Sequence, residues 1–258
     1  MPAVFRPPPH SRAPQLHAAA EKFFRTAWEL SPQDAAELGL REYRGKLGPN
    51  DPDSHRRRIR LFAQTLPLIE ALPAGEGDDW TDRRAFLAYL RTGLFFHREH
   101  PRWQLDPQTH SGTAVNAVFH LLVRHAENLR AVTPDILSLL ADIPRFLDEG
   151  RACLHRPVPL WTKLAVRSST HAATFIEQAA AQIVPLAKSP ARAERLFAAA
   201  AEAFRTHARR LEKIPTGPAN GFAVGSTNFE FLLRERMGTD ATAAELLAEG
   251  HRLVASVS

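Results

Sequence analysis

The sequence contains almost no cysteine: Cys153 stands alone among 258 residues. A disulfide within the chain is therefore excluded, and cysteine usage does not constrain the redox compartment. A lone cysteine also needs a neighbouring base before it becomes a nucleophile. Because Cys153 lies between Ala152 and Leu154 near a predicted helix end, we interpret it as a packed structural thiol.

Long apolar runs and several catalytic motifs are also missing. No run approaches the ~18 apolar residues of a membrane span, and residues 1–9 (MPAVFRPPP) lack the apolar stretch of a signal peptide. We therefore expect a cytoplasmic chain with no membrane partner. The chain has no G-x-S-x-G nucleophile motif, no G-x-x-x-x-G-K phosphate loop and no HExxH zinc motif.

Charge is nearly balanced, with 33 basic and 28 acidic residues and a formal net charge of +5. The densest basic run is residues 55–60, HRRRIR. Its arginines spread around a helix instead of forming one stripe, and no aromatic residues for base stacking alternate with them. We interpret the run as a solvated helix start and expect no nucleic-acid partner.

Helical periodicity dominates what remains, whereas strand-like alternation is scarce. The clearest predicted helix, 114–129, places Val115, Val118, Phe119 and Leu122 on one stripe. Residues 1–14 hold five prolines and are expected to form a flexible tail. We predict one all-α domain over residues 15–258, an array of about eight to ten helices.

Capping and breaking residues predict where several helices begin and end. Asp53 or Ser54 is expected to cap one helix, and Thr81 or Asp82 to open the next. A helix beginning at Thr133-Pro134 is expected to bend or break at Pro144 and to end at Gly150. Gly238 is expected to close a helix over residues 227–237, and Thr242 and Glu245 match a capping box at the last helix.

Two local patterns suggest chemistry, each with a simpler structural alternative. His97-Arg-Glu-His100 could place two rings on one side of a helix end, which makes His97 and His100 a weak metal-site alternative. The glycine segment 217–225 leads into a helix and could expose backbone donors to an anion, although a tight interhelical turn is the simpler interpretation. The candidate substrate-lining residues there are Gly221, Phe222, Gly225 and Phe229.

Several segments, in order, resemble the bacterial family known as domain of unknown function 885. The most specific block is the last one. The matching residues are Phe23-Phe24, Trp28-Glu29-Leu30, Pro32, Gly39-Leu40, Trp103, Asp106-Pro107, Ile143 to Leu147, Ala152, Leu154, Val224-Gly225, Phe229, Leu232-Leu233-Arg234, Gly238, Glu245-Leu246 and Gly250.

The resemblance implies the N-terminal part of a longer, zincin-like metallohydrolase with a fold similar to α-helical metallopeptidases. The zinc motif of the family resembles HE-x-x-PGH and is followed by an EGW segment. This sequence contains neither motif, so no zinc ligand and no catalytic residue can be assigned to any position here, and zinc is expected in the missing C-terminal half.

The function implied is therefore a helical wall of a substrate cleft that is catalytically inert alone. Its expected partner is the missing half, or a second copy of the chain through exposed apolar surface. The alternative is a stand-alone helical scaffold or protein-binding module. An independent enzyme that uses His97 and His100 is a minor third possibility.

Overall fold

A computed structural model describes residues 13–257, and within that range the chain is helical without any strand. The all-α prediction is confirmed. The α-helices are α1 (Pro14–Leu30), α2 (Pro32–Glu37), α3 (Pro52–Glu70), α4 (Gly77–Leu94), α5 (Arg102–Leu105), α6 (Gln108–Arg124), α7 (Leu129–Cys153), α8 (Pro159–Ile183), α9 (Pro190–Leu211), α10 (Ser226–Met237) and α11 (Ala243–Val257). Short 3₁₀ turns at Arg41–Tyr43, Ala126–Asn128 and Val184–Leu186 and a π-helical segment at Phe95–Glu99 complete them. The expected tail falls on residues outside the described range and stays a prediction, except that α1 already begins at Pro14.

The larger hydrophobic core is built by α6, α7, α8 and α9. On α7, Ile136, Leu140 and Ile143 are completely buried. Alanines on the facing surfaces of α8 and α9, such as Ala173 and Ala200, are also buried. Small side chains let two long helices approach closely, so these faces explain the tight α8–α9 packing.

A second, aromatic core joins α1, α3 and α4. Phe23 contacts Phe62 and Phe86 edge-to-face, with ring centroids 5.0 and 5.4 Å apart. Gly93 on α4 is required here, because a Cβ at this position would lie 2.1 Å from the Phe62 ring. The aromatic geometry and the missing side chain together allow α3 and α4 to pack closely.

Residues 45–50, which we call the strap, run between the two cores without belonging to a helix. Gly45 adopts φ 72°, and a Cβ there would lie 2.9 Å from Asp135 Cα. Nη2 of Arg145 donates to the Leu47 carbonyl (3.0 Å), and the Asn50 N–H donates to Oε2 of Glu149 (2.9 Å). Side chains of α7 thus satisfy backbone groups that lack helical partners.

The last two helices lie on the outside of the array. α10 packs against α4, where Nη1 of Arg91 lies 3.2 Å from Oε2 of Glu235. Gly238 closes α10 with φ 68°, as predicted for a helix-ending glycine. The predicted capping box of α11 is present, since Oγ1 of Thr242 accepts from the Glu245 N–H at 3.2 Å. No residue of α11 is buried.

Two helices begin earlier than their sequence signals predicted. Asp51, not Asp53 or Ser54, caps α3, and its Oδ1 accepts from both of those backbone N–H groups at 2.8 and 2.9 Å. Pro52 then occupies the first helical position, which suits its fixed φ. α4 begins at Gly77 instead of at Thr81 or Asp82, because its acidic first turn favours the positive end of the helix dipole.

Of the bend or break predicted at Pro144, the break is wrong, because α7 is continuous there. The helix starts at Leu129, runs through Pro134 and Pro144, includes Gly150 and ends at Cys153. Each proline removes one backbone donor, but the buried apolar face of the helix outweighs that loss. Tertiary packing therefore overrides the local breaking signals.

The α6 stripe is rotated relative to the prediction. Val118 is buried, but Phe119 is 44% exposed. The buried apolar residues of α6 are Ala114, Ala117, Val118 and Leu121, while Val115 and Leu122 are partly buried against the same core. Because small alanines face the core most closely, the stripe of larger residues is rotated towards solvent and ends at the exposed Phe119.

Candidate functional site

A buried hydrogen-bond relay centred on Asn50 lies where the two cores meet. Nδ2 of Asn50 donates to the Phe146 carbonyl (3.0 Å) and lies 3.0 Å from Nδ1 of His110. Nε2 of His110 lies 2.9 Å from the Trp103 carbonyl. Because a carbonyl only accepts, Nε2 of His110 carries the proton and Nδ1 accepts from Asn50. The relay therefore fixes His110 in one neutral tautomer.

His55 extends the relay in the opposite direction. Its Nδ1 lies 3.4 Å from Nη1 of Arg58, and its Nε2 lies 3.3 Å from Oδ1 of Asn50. A guanidinium only donates, so Nδ1 of His55 accepts and Nε2 donates to Asn50. The His55 ring also stacks on Trp103, with centroids 4.5 Å apart. Both histidines are held neutral by donors that face their Nδ1 atoms.

Arg58 is a buried cation whose donors are all engaged within the fold. Its acceptors are Ser31 Oγ, Ser54 Oγ, His55 Nδ1 and the carbonyls of Leu30 and Pro49. This arrangement holds α1, the strap and α3 together. Arg58 consequently supplies positive potential to its surroundings, but no free hydrogen-bond donor for a ligand.

The surroundings shift the pKa values of the relay strongly. Burial, and then the charge of Arg58, lower the pKa of His55 to about 2. Burial also lowers the pKa of His110 to about 4, although its bond to the Trp103 carbonyl works in the opposite direction. Protonation would set an N–H against the Asn50 amide or the Arg58 guanidinium, so both rings resist taking up a proton.

Above the relay lies a cleft of about 380 Å³ with aromatic walls. Phe24 lies against Trp28 and Tyr89, with ring centroids 5.6 and 5.8 Å apart. Asn50, His55 and Arg58 line the polar side. A concave cavity that combines apolar walls with fixed polar groups is the usual form of a small-molecule site.

Asp34 is the group in this cleft that is best suited to exchange a proton. Its carboxylate is solvent-accessible, yet protein surrounds it closely enough that burial raises its pKa to about 6. Arg58 partly opposes that shift, and Glu37 adds to it. Burial and Asp34 also raise the pKa of Tyr89. A carboxyl group that titrates near neutral pH can act as a general acid or base.

The glycine segment predicted to line a substrate lies outside the aromatic cleft. Gly221 packs near Val158, and Gly225 adopts φ 79° directly before α10. Phe222 and Phe229 are exposed. None of these four residues lines the aromatic cleft among the described residues, and their role in binding stays a prediction.

His97 and His100 have different surroundings. The His97 ring lies 5.4 Å from the Phe62 ring and lines the cleft, and burial lowers its pKa to about 4. His100 lies between Phe95 and Trp161, 6.1 Å from each ring. Within residues 13–257, no group of three or more histidine, cysteine, aspartate or glutamate side chains is arranged to hold a metal.

Sequence reasoning missed the residues that build the relay. The run at 55–60 is solvated at Arg56, Arg57 and Arg60, but His55 and Arg58 are buried. The available signal was helical spacing, because His55, Arg58 and Phe62 continue one face of α3. Cys153 is a packed thiol as interpreted: its Sγ donates to the Asn50 carbonyl at 3.2 Å, and burial raises its pKa to about 12.

Trp103, one of the residues that carried the family resemblance, is part of this relay. Trp103 stacks on His55, and its carbonyl accepts from His110. Oδ1 of Asp106 accepts from the Gln108 N–H (3.0 Å) at the start of α6. The fold and the relay thus define an all-α protein with a polar, buried centre.

Residues 32–258 match the family described as "Bacterial protein of unknown function (DUF885)", and the chain belongs to that family. No curated protein matches the chain. A solved structure described as a "putative lipoprotein of unknown function from Shewanella oneidensis" has the same fold, with a TM-score of 0.76 and 17% identity. The match covers 91% of this chain and 44% of the Shewanella chain, so this chain spans less than half the length of that relative. Across the described residues, no helix is long and apolar enough to cross a membrane.

Proposed function

We propose that this chain supplies one helical wall of a substrate cleft in a longer, zinc-dependent, peptidase-like hydrolase, and that it has no hydrolase activity alone. The described residues do not fit a zinc site. In this proposal, zinc is held by another part of the complete protein, and the present residues bind and orient substrate. The greater length of the Shewanella relative supports this division.

The observation that carries the proposal is the uncovered apolar face of α11. Leu247 and Val254 are 63% and 64% exposed, and helical spacing places them on the same side as Leu246, Leu253 and Val257. Fully burying such side chains contributes about 1.5–3 kcal/mol each. A helix with this pattern and no buried residue indicates a surface that another body covers.

The aromatic cleft supplies the second element of the proposal. Its walls suit an apolar or aromatic group of a substrate, and Asp34 can exchange a proton beside it. The exposed edge formed by Gly221, Phe222, Gly225 and Phe229 is the further surface that we propose faces substrate. The cytoplasmic location expected from the first residues stays a prediction, and the solved relative is described as a lipoprotein.

A solution experiment tests the uncovered face. The chain alone is expected to self-associate in light scattering, whereas L247E/V254E should be monomeric. The matched control is A248E/A255E, which adds the same two charges to the opposite side of α11 and should behave like the wild type. A monodisperse wild-type chain would instead favour the alternative of a stand-alone scaffold or binding module.

A peptidase assay tests the catalytic part of the proposal. The zinc-loaded chain should be inactive by itself and active only together with the other half of the longer protein proposed here. The L247E/V254E variant should weaken that reconstitution, whereas A248E/A255E should not. Hydrolysis by the chain alone with zinc would overturn the proposal.

A further inference from the structure

A second cavity, separate from the aromatic cleft, lies between α2, residues 39–46 and α6. Its volume is about 250 Å³. Ala117, Leu121 and Leu139 form an apolar floor. The volume is below the ~300–1,000 Å³ typical of drug-sized ligands, so the cavity suits a compact molecule.

The rim of this cavity is strongly cationic. Four permanent cations line it, namely Arg41, Arg44, Lys46 and Arg124, together with His120 and His125. Among the described residues that line the cavity, Glu37 is the one carboxylate. Like charges crowded around a concave surface concentrate a positive potential there, which attracts anions.

Some of these cations have donors that the fold leaves unused. Arg44 Nε is buried, and none of the described residues accepts a hydrogen bond from it; the nearest carboxylate oxygen, Oδ2 of Asp135, is 3.9 Å away. Nη1 of Arg44 contacts Nε2 of His125 at 3.2 Å, which orients the guanidinium. The side chain of Arg41 forms no hydrogen bond or ion pair with the described part of the chain. Arg41 is exposed at the rim, so its guanidinium donors can reach a ligand that accepts from them.

The rim is also built before any ligand arrives. Gly39 and Gly45 adopt φ values of 91° and 72°, and Gly45 packs directly on Asp135 of α7. Nη1 of Arg124 donates to the Glu37 carbonyl, and Nδ1 of His120 lies 3.0 Å from Oε1 of Glu37. The loop and α6 are thereby held at a fixed separation, which reduces the entropy lost on binding.

We propose that this cavity, which we call the basic pocket, binds a small organic dianion, either a phosphate monoester or a dicarboxylate. Arg41 and Arg44 hold the two negative charges, and the apolar floor contacts the carbon skeleton. Arginine suits both ligands because its planar donors match two oxygen atoms of a carboxylate or phosphate. The inference does not depend on the function proposed for the aromatic cleft or for α11.

Isothermal titration calorimetry on the complete chain at constant ionic strength tests this site. The probes are glycerol 3-phosphate and succinate, with acetate as the singly charged comparison and glycerol as the neutral one. Both dianions, or one of them, should bind saturably at one site, and acetate and glycerol should bind more weakly. The tighter of the two dianions identifies whether the pocket prefers phosphate or dicarboxylate.

Two variants locate the binding. R41Q should weaken dianion binding about tenfold or more, because a hydrogen bond to a charged group contributes about 1.5–3 kcal/mol. Arg41 is exposed and has no contact that folding needs, so this variant should fold normally. R60Q, which removes an exposed cation outside the pocket, should change affinity less than about twofold. R44Q should weaken binding as well, with its folding checked by circular dichroism.

Two results would overturn the inference. One is the absence of saturable binding of either dianion up to about 10 mM, a limit that corresponds to very weak affinity. The other is equal affinity of R41Q and R60Q for the dianion that binds. Neither calorimetric measurement depends on activity of the aromatic cleft. A negative result would therefore not bear on the proposed function.

Discussion

Acidification is expected to unfold this chain through histidines that the fold keeps neutral. His207 on α9 shows the effect most simply. It is 3% exposed, and neither ring nitrogen has a hydrogen-bond partner among the described residues. Burial, followed by the charges of His110 and Arg151, lowers its pKa to about 4. The relay residues His55 and His110 have pKa values lowered to about 2 and 4.

The direction of the pH effect on stability follows from the histidine pKa values in the folded and unfolded states. An unfolded histidine has a pKa of about 6.5, so between about pH 6.5 and 4 the unfolded chain binds protons that the folded chain does not. Stability is therefore complete above about pH 6.5 and is lost as the pH falls. At pH 5 the loss is about 2 kcal/mol for each buried histidine. The raised pKa of Asp34 acts in the opposite direction, because the folded state takes up that proton first.

The loss is large relative to the usual stability of a domain. With His97, whose pKa burial also lowers to about 4, four histidines give an upper limit of about 8 kcal/mol at pH 5, against the about 5–15 kcal/mol of a typical folded protein. The limit is not reached, because proton uptake by Asp34 in the folded state offsets part of the loss. Urea unfolding at a series of pH values should show the unfolding free energy falling by several kcal/mol between pH 7.5 and 5.

One variant assigns the effect to a residue. H207L removes a buried polar ring without partners, so at pH 7.5 it should be at least as stable as the wild type. Its stability should fall by about 2 kcal/mol less between pH 7.5 and 5. The control is H171L, because His171 is exposed on α8. The reasoning is refuted if H207L and H171L show the same pH dependence, or if the wild type changes by less than about 1 kcal/mol.

Three further substitutions or reagents test the relay and its surroundings. N50A should destabilise the chain by about 3 kcal/mol or more in urea unfolding because it leaves several buried groups without partners, whereas N228A, on an exposed bond to the Val224 carbonyl, should cost less than about 1 kcal/mol. G150A places a Cβ 2.5 Å from Asn50 Nδ2 and His110 Cγ and should lower the unfolding free energy by about 1–3 kcal/mol. The control G250A has no atom within 4 Å of its Cβ and should leave the unfolding free energy unchanged or raise it. Equal effects of the two variants would contradict the packing described around Gly150. The Cys153 thiol, buried and with a pKa of about 12, should react with a disulfide reagent only as fast as the chain unfolds, so rapid labelling of the native chain would show that the thiol is accessible.

Sequence patterning predicted the fold class and many helix ends, because those features depend on local chemistry. The prediction succeeded where a residue acts on its own backbone, as at Gly238 and in the capping box of Thr242 and Glu245. The prediction was wrong where packing against distant parts of the chain determines whether a helix continues. α7 passes through Pro144 because its apolar face is buried against other helices, and no local signal shows that.

The candidate site was predictable to a smaller extent. Asn50 lies in a loop and acts through bonds to residues about 60 and 96 positions further along the chain, which periodicity cannot show. His55 and Arg58 were detectable only as polar members of the apolar face of α3. The basic pocket forms where residues 41–46 meet α6. Because these cationic residues lie far apart in the sequence, their clustering could not be predicted from it.

The strap also bears on how quickly the chain reaches its native state. Its partners on α7 are 95 to 103 residues away in sequence, so it can dock only after a long intervening chain has been brought into place. Contacts of such range slow folding, because the chain loses the entropy of loop closure before the contact stabilises the fold. In a refolding experiment, the helices of the larger core should assemble first, and residues 45–50 together with the start of α3 should acquire protection from hydrogen exchange last. A newly made chain would thus keep residues 45–50 undocked from α7 until ribosomal synthesis has passed Cys153.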